Sequence, residues 1–371
     1  MKHQILSLLL ISVSLMLFSC ADNSTPAPPT GWVIGQVSDA DHVPTAKILK
    51  TGNGGASWTL QTLPAGCVGF QGNDISAVNG QVAWAAVGDP YHLDGGILHT
   101  ADGGASWTLQ ALPDGLGNRC IKSIKGVSPT EAWAVSIRGD LLHTTDGGDH
   151  WTIVPLKKAD DSIIPIQEVN RMDVTGLDIW IVDFLGGNLG VIHSPNGGIT
   201  WRQEQLPDIS QGGGPLSISA FDSHIAWTAV NSEGYLWGTS NGGQSWNKSN
   251  ETIAGTADFD DICASSANVI WIAQNNGLSS GGVAARITVT NGNFESNLYS
   301  NVNYMMEGIS AMNDNTTAWL VGFKTMFADP ELPHGAIYFT HDGGVTWQLQ
   351  ILPDNARDVD LWKVSFVGAR R

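Results

Sequence analysis

The octapeptide Thr100-Ala101-Asp102-Gly103-Gly104-Ala105-Ser106-Trp107 decides the fold, because related copies of it recur along the chain. Each copy reads Ser/Thr, any residue, Asp/Asn, Gly, Gly, two further residues and Trp. An Asp or Asn side chain at the third position accepts hydrogen bonds from backbone N–H groups ahead of it, and the glycines supply the positive φ angles of a tight turn. Each copy therefore predicts strand, turn, strand. The Asp/Asn positions of the six copies are Asn53, Asp102, Asp146, Asn196, Asn241 and Asp342.

A second marker is a tryptophan inside a short β-rich run, and it occurs seven times at intervals of 44 to 52 residues. The seven are Trp32, Trp84, Trp133, Trp180, Trp227, Trp271 and Trp319. A further β-rich run precedes most of them, which makes four strands per period. Four antiparallel strands in every period, repeated seven times, predict an all-β, seven-bladed β-propeller of four-stranded antiparallel blades.

The C-terminal residues are predicted to close the ring. The first unit lacks a leading strand, and residues 361–367 read as a leading strand followed only by residues 368–371. We expect this strand to complete the first blade, which removes open sheet edges. The sixth unit has lost the second glycine and the Trp of its turn at residues 289–294, so we expect its blade but not its regular turn.

The N-terminus predicts export. Residues 1–19 combine a basic start with an apolar run too short for a comfortable membrane span, as in a signal peptide. Leu17-Phe18-Ser19-Cys20 resembles a lipobox, so Cys20 is the predicted lipidation site; secretion without lipid is the alternative. Residues 20–30 read as a lipidated cysteine and Pro/Ser tether, and residues 31–371 as the propeller. We expect a lipoprotein on the periplasmic side or the cell surface.

The combination of the turn motif with a Trp-led second strand resembles the Asp-box, or bacterial neuraminidase repeat, and in particular the photosystem II stability/assembly factor-like propellers. Residues 83–107 show the whole unit. The resemblance implies a propeller whose box residues are structural, and it implies little about function, because the box occurs on propellers with unrelated roles. The resemblance also implies that an arginine patch contacts the partner, as is expected in those assembly factors. Here the arginines Arg119, Arg138, Arg171 and Arg357 are too diluted by acids to carry that role over.

Charge and cysteine content restrict the partners. A net charge of −17 argues against nucleic acid and against electrostatic binding to anionic lipid. The sequence has no Cys-x-x-Cys or His-x-x-x-His spacing, so neither a metal nor a cofactor is expected. Cys67 and Cys120 precede the leading strands of neighbouring blades, where either a disulfide or two thiols would fit. We expect a monomer with a protein or glycan partner, attached to the membrane only through lipid.

Binding residues are expected on the face opposite the box turns, in loops that join second to third strands or blade to blade. The three longest such loops are predicted at residues 157–170, 291–307 and 323–334. The predicted function is a non-catalytic binding or assembly scaffold. The alternative is a glycoside hydrolase with two carboxylates at the ring mouth, although no pair stands out by spacing. The candidate face comprises Asp89, Asp94, Arg119, Arg171, Asp183, Glu233, Asp261, Tyr304, Phe327 and Arg357.

Overall fold

The computed structural model describes residues 28–38, 42–89, 91, 93–116, 119–166, 168–183, 190–209, 215–230, 234–250, 252, 258–276, 280–290, 292–301 and 303–370. These residues form seven antiparallel sheets arranged as the blades of a propeller. The prediction of an all-β seven-bladed propeller is confirmed. The predicted signal segment, Cys20 and Glu233 lie outside the described residues.

The strands run from the ring axis outward in each blade. Blade 1 contains β28 (Asp360–Phe366), β1 (Gly31–Ser38), β2 (Pro44–Thr51) and β3 (Thr59–Leu60). Blade 2 contains β4 (Gln71–Ala77), β5 (Ala83–Asp89), β6 (Asp94–Thr100) and β7 (Thr108–Leu109). Blade 3 contains β8 (Ile121–Gly126), β9 (Ala132–Ser136), β10 (Leu141–Thr144) and β11 (Thr152–Val154). Blade 4 contains β12 (Val169–Thr175), β13 (Asp178–Asp183), β14 (Gly190–Ser194) and β15 (Arg202–Gln205).

The second half of the ring repeats this order. Blade 5 contains β16 (Pro215–Ala220), β17 (Ala226–Val230), β18 (Leu236–Thr239) and β19 (Asn247–Lys248). Blade 6 contains β20 (Asp258–Ser266), β21 (Val269–Asn275), β22 (Gly282–Thr290) and β23 (Asn293–Asn301). Blade 7 contains β24 (Tyr304–Met312), β25 (Ala318–Lys324), β26 (Gly335–Thr340) and β27 (Gln348–Leu349), with a fifth strand, β29 (Ala369–Arg370), beside β24. Two 3₁₀ turns, Ala65–Cys67 and Asp354–Ala356, lie between blades.

The C-terminal strand closes the ring as predicted. β28 pairs antiparallel with β1, from Gly31 opposite Phe366 to Gln36 opposite Asp360. The extra strand β29 was not predicted: it pairs with Met312 and Ala311 of blade 7. The chain end therefore contributes to two neighbouring blades.

The box turns share one hydrogen-bond pattern. In the turn of blade 2, the Thr100 hydroxyl donates to Asp102 Oδ1 at 2.9 Å and accepts the N–H of Gly104 at 2.9 Å. Asp102 Oδ1 also accepts the N–H of Ser106 at 2.9 Å. Hydrogen bonds from the Ser106 hydroxyl and backbone, and from Thr100, lower the pKa of Asp102 to about 2. Asn53 makes the same backbone contact in blade 1, which explains why Asp and Asn alternate at this position.

The tryptophans hold neighbouring blades together. In four pairs of neighbouring blades the box Trp packs edge-on against the second-strand Trp of the preceding blade, as for Trp32 with Trp107 at 5.5 Å and 90°. Trp58 of blade 1 packs edge-on against Phe366 instead. In blade 6 the box Trp is missing, and Phe294 takes its place, edge-on to Trp227 at 6.0 Å. The degenerate unit therefore keeps the interblade contact although it loses the regular turn.

One predicted loop is wrong. Residues 291–307 were expected to form a long insertion, but Asn293–Asn301 is strand β23 and Tyr304–Met312 is strand β24. β23 is the outermost strand of its blade, so most of its side chains are exposed and polar. A polar sequence of this kind is also typical of a loop. The other two predicted loops lie between strands as expected, after β11 and after β25.

The sequence left two alternatives for Cys67 and Cys120, a disulfide or two thiols. In the structure both are thiols, buried in different interblade layers. Cys67 packs with Trp32 and Ile34 between blades 1 and 2, whereas Asn73 donates to Cys120 Sγ at 3.9 Å. Burial raises the pKa of both thiols, that of Cys120 to about 11.

Candidate functional site: a pocket on the ring axis

Every inner strand carries a β-bulge at the same place. The pairing between the inner and second strand of each blade skips one residue near the start of the inner strand. A bulge turns a side chain out of its regular strand direction and is often found beside binding sites. The seven skipped residues are Asn73, Lys122, Asn170, Leu216, Asp260, Glu307 and Trp362.

Six of these seven residues meet at one pocket on the ring axis. Its volume is about 210 Å³, and it opens on the face where the inner strands begin, opposite the box turns. The full lining is Gln71, Gly72, Asn73, Lys122, Asn170, Arg171, Asp260, Glu307, Trp362 and Lys363. The repeated bulge is thus the local structure that brings polar side chains from different blades to one point.

The floor of the pocket is an ion-pair network that crosses the axis. Arg171 of blade 4 lies 3.4 Å from Asp74 of blade 2 and 3.1 Å from Asp261 of blade 6. Lys363 of blade 1 lies 3.6 Å from Asp261 as well. All but Lys363 are buried. Breaking such a network would leave uncompensated buried charge, so these residues hold one another in fixed positions.

The same acids also bind the backbone of the next blade. Asp74 Oδ2 accepts the N–H of Ile124 at 3.0 Å, and Asp261 Oδ2 accepts the N–H of Ile309 at 3.2 Å. Carboxylates that accept backbone N–H bonds are charge-assisted acceptors. The floor therefore also fixes the spacing of the inner strands around the axis.

One wall of the pocket is formed by blades 6, 7 and 1. Lys363 Nζ donates to the backbone carbonyls of Asp260 at 2.9 Å and Glu307 at 2.6 Å. Asn275 donates to Glu307 Oε1 at 2.9 Å. Burial raises the pKa of the Glu307 carboxyl to about 7, with nearby Lys363 acting against the rise. Burial lowers the pKa of the Lys363 and Lys122 amino groups. The pocket thus combines both signs of charge with amide groups in a partly dehydrated setting.

Among the sequence-predicted residues that the structure describes, two are at the pocket: Arg171 lines it and Asp261 lies in its floor. Asp183 is fully buried at the end of β13, where it accepts the N–H of Glu168 at 2.9 Å. Tyr304 was expected on the binding face but is buried in β24, and its hydroxyl donates to the Pro333 carbonyl at 3.2 Å. Tyr304 is therefore not a surface residue, because β24 is an inner strand packed on both sides.

The remaining candidates lie around the pocket on the same face. Asp89 and Asp94 flank the loop between β5 and β6, where their carboxylates accept backbone N–H bonds from Tyr91 and Gly95. Arg119 is exposed in the loop between blades 2 and 3. Phe327 is 76% exposed between β25 and β26. Arg357 is exposed near that loop and donates to the Glu331 carbonyl at 2.8 Å.

Sequence reasoning missed most of the pocket. Asn73, Lys122, Asn170, Glu307, Trp362 and Lys363 were not among the candidates. A signal was present in the sequence: each leading strand has an apolar residue, usually Ile, two places after the bulge position, and the bulge residue itself is polar or aromatic in six of the seven units. Finding it required knowing that a bulge, and not simple alternation, sets the direction of that side chain.

Within the described ranges, no group of three or more His, Cys, Asp and Glu side chains is placed to hold a metal ion. In the same residues, no helix is long and apolar enough to cross a membrane.

Similarity to known proteins agrees with this architecture. The sequence model of the family "Photosynthesis system II assembly factor YCF48" matches residues 115–266. The predicted resemblance is confirmed. No curated protein matches the chain in sequence.

Solved propellers are similar in fold. A structure of YCF48 bound to a D1 peptide shares 18% identity at a TM-score of 0.55, covering 87% of this chain and 97% of that one. YCF48 from Cyanidioschyzon merolae shares 14% identity at a TM-score of 0.58, covering 85% and 96%. An ancestral GH74 enzyme shares 14% identity at a TM-score of 0.51, covering 86% of this chain and 54% of the enzyme. At these identities the likeness concerns the fold.

Proposed function

We propose that the protein is a non-catalytic scaffold that holds a segment of a protein partner at the axial pocket. The observation that carries this proposal is the shared bulge, which brings side chains from six blades to one pocket on the axis. Bulges are built features that re-aim side chains next to sites. The ion-pair floor then keeps the pocket preformed, which lowers the entropy cost of binding.

The chemistry of the pocket suits a polypeptide. Lys122 and Lys363 offer donors, Asp260 and Glu307 offer acceptors, and Asn73 offers both, which matches the mixed donors and acceptors of a peptide. A volume of about 210 Å³ is smaller than the roughly 300–1,000 Å³ of sites that enclose a whole ligand. It has room for one side chain or a chain end, so the remaining contacts would come from the surrounding loops.

Those loops carry exposed aromatic groups. Tyr91 is 92% exposed between β5 and β6, and Phe327 is 76% exposed between β25 and β26. Aromatic residues are enriched at protein interfaces. The peptide complex of YCF48 supports the same kind of role, since it shows that a propeller of similar fold binds a segment of another protein.

A charge reversal at the pocket tests this function. Lys122→Glu would alter the mouth of the pocket. The matched control is Lys47→Glu, at a half-exposed position on β2, the third strand of blade 1. Both tagged variants would be used to purify partners from membranes of the producing cells, with quantification by mass spectrometry. We expect a partner held by the wild type and by Lys47→Glu to be depleted with Lys122→Glu. Equal recovery with all three proteins would contradict binding at the pocket.

A membrane anchor is the second part of the proposal. The carbonyl of Pro29 accepts the N–H of Gly54 at 3.0 Å, so the end of the predicted tether lies against the box turn of blade 1. A lipid on Cys20 would therefore orient the box face toward the membrane and the axial pocket away from it. Cys20→Ser should lose a metabolic fatty-acid label and membrane association, whereas the control Ser24→Ala should keep both. A wild-type protein without label would contradict the anchor.

Carbohydrate hydrolysis is the competing function. It is favoured by one observation: a carboxyl with a pKa of about 7, Glu307, shares the pocket with a second carboxylate, Asp260. A general acid needs a raised pKa of this kind. If the purified propeller released sugar from polysaccharides and Glu307→Gln abolished the release, this function would replace the scaffold.

A further inference from the structure

The second-strand tryptophan of six blades is covered by its own cross-strand neighbour on the third strand. His99, for example, stacks on Trp84 with ring centroids 3.8 Å apart. His143 and His193 stack in the same way on Trp133 and Trp180. Phe339 contacts Trp319 at a tilt of 38°, with ring centroids 5.2 Å apart. In blades 1 and 6 the covering side chain is a cation. Lys50 lies 4.7 Å from the ring centroid of Trp32, and Arg286 lies 5.8 Å from that of Trp271.

Blade 5 is the exception. The cross-strand neighbour of Trp227 is Gly238, which has no side chain to place over the indole. The ring lies directly against this glycine, where an added Cβ would be 2.4 Å from Trp227 Cζ3. On the other side of the ring is blade 6, whose turn has lost the box sequence. A cavity of about 410 Å³ results between blades 5 and 6.

Blades 1 and 6 show how a cation is held at the equivalent place. Lys50 Nζ donates to the Gly80 carbonyl at 3.4 Å, and Arg286 Nε donates to the Asn315 carbonyl at 2.8 Å. Both carbonyls belong to the residue four places before the second-strand Trp of the next blade. Arg286 Nη1 also donates to the hydroxyl of Thr288, two residues along its own strand, at 2.9 Å.

The cavity contains the counterparts of each of these groups. Four places before Trp271 is Ala267, and two residues after Gly238 is Ser240. Ala267, Ser240 and Trp227 all line the cavity. The three positions that hold Arg286 in blade 6, an aromatic ring, a carbonyl-bearing residue and a hydroxyl-bearing residue, therefore have counterparts here. Only the cationic side chain is missing, because glycine stands in its place.

We propose that this cavity binds the guanidinium group of an arginine side chain presented by a partner polypeptide. Stacking of a guanidinium on an indole is favourable, and Trp is the best aromatic partner for it. A protein of net charge −17 also attracts basic segments at long range. Lys248 also lines the cavity. Its amino group donates a hydrogen bond to the Asp208 carbonyl at 3.1 Å and lies 4.1 Å from the Tyr235 ring centroid. The site is separate from the axial pocket and does not depend on the function proposed there.

The experiment uses the full chain with ¹⁵N-labelled indoles and a blocked pentapeptide, Gly-Gly-Arg-Gly-Gly, followed by NMR. The matched probe replaces arginine with citrulline, which has nearly the same shape but no charge. Trp227→Phe assigns the Trp227 indole signal. We expect the arginine peptide to shift that signal in a saturable way. The citrulline peptide should bind at least about tenfold more weakly.

A second variant fills the cavity from within. Gly238→Arg supplies the missing side chain in the protein itself, with a rotation of the Trp227 ring to make room for the new Cβ. We expect it to abolish the peptide-induced shift. Equal binding of the arginine and citrulline peptides to the wild type would overturn the proposal whether or not this variant folds. So would an arginine-induced shift that is absent at Trp227 and present at other indoles.

Discussion

Phe366, on the C-terminal strand β28, stacks on Trp319 of blade 7, with ring centroids 3.5 Å apart and 12° between the ring planes. The strand that carries Phe366 is paired with β1 of blade 1. One side chain thus links the end of the chain to the blade before it, while its backbone completes the first blade.

Removal of this strand should unfold the ring. Truncation after Asp360 would remove Leu361, Val364 and Phe366, all buried. At about 1.5–3 kcal/mol for each buried side chain, their loss approaches the roughly 5–15 kcal/mol total stability of a domain. Truncation after Gly368 removes only the short strand β29 and should cost much less. Thermal denaturation compares the two proteins, and equal melting temperatures would show that β28 does not close the ring.

The second glycine of the box should be needed for packing as well as for backbone conformation. Gly104 has φ +84°, and an added Cβ would lie 2.9 Å from Trp32 Cζ3. Gly115 has a similar φ of +86°, but nothing lies within 4 Å of the same position. Both Gly→Ala substitutions carry the backbone penalty of about 1–2 kcal/mol. Gly104→Ala should lower the free energy of unfolding further, as measured by urea denaturation. Equal losses would show that the contact with Trp32 can relax without cost.

Glu307 should make stability depend on pH. Its pKa is raised by burial from the ordinary 4.5 to about 7 in the folded protein. The folded state therefore binds this proton more tightly than the unfolded chain, so its contribution is fully present below pH 4.5 and is lost as pH rises through 7. The loss is of order 1–3 kcal/mol.

The substitution Glu307→Gln should remove this pH dependence. We expect the free energy of unfolding of the variant to exceed that of the wild type at pH 8 by more than at pH 5, measured in urea. The exposed Glu331→Gln is the control and should follow the wild type at both pH values. If Glu307→Gln and the wild type lose stability in parallel between these pH values, the carboxyl does not titrate in this range.

The blades could be predicted because each repeat contains residues whose physical role leaves a visible pattern. Gly103 and Gly104 both have positive φ, and Trp84 and Trp107 each fill an interblade layer. Glycine and tryptophan at fixed spacing are rare by chance, so they identify the unit. The missing Trp of blade 6 could be tolerated because Phe294 fills the same place.

The pocket could not be predicted in the same way. Its residues share a backbone irregularity and not a side-chain type: Lys122, Glu307 and Trp362 occupy equivalent bulges. A bulge adds one residue to one strand and leaves no fixed signature in composition. The prediction for Tyr304 was wrong for a related reason. Tyr304 begins the inner strand β24, which follows the unusually polar outer strand β23, and the sequence of the two together resembles a long loop. The ion pairs of Arg171 join blades 2, 4 and 6, and such contacts depend on ring closure.

Site-specific photo-crosslinking tests the central claim most directly. A benzophenone amino acid would replace Trp362 at the mouth of the axial pocket and, as the control, Leu177, which is exposed on the opposite face. Both proteins would be irradiated in the cells that produce them, with and without Lys122→Glu. The scaffold function predicts a discrete protein adduct from position 362 that disappears with Lys122→Glu and is absent from position 177. Adducts that form equally from both positions, or that persist with Lys122→Glu, would contradict binding of a protein partner at the axial pocket.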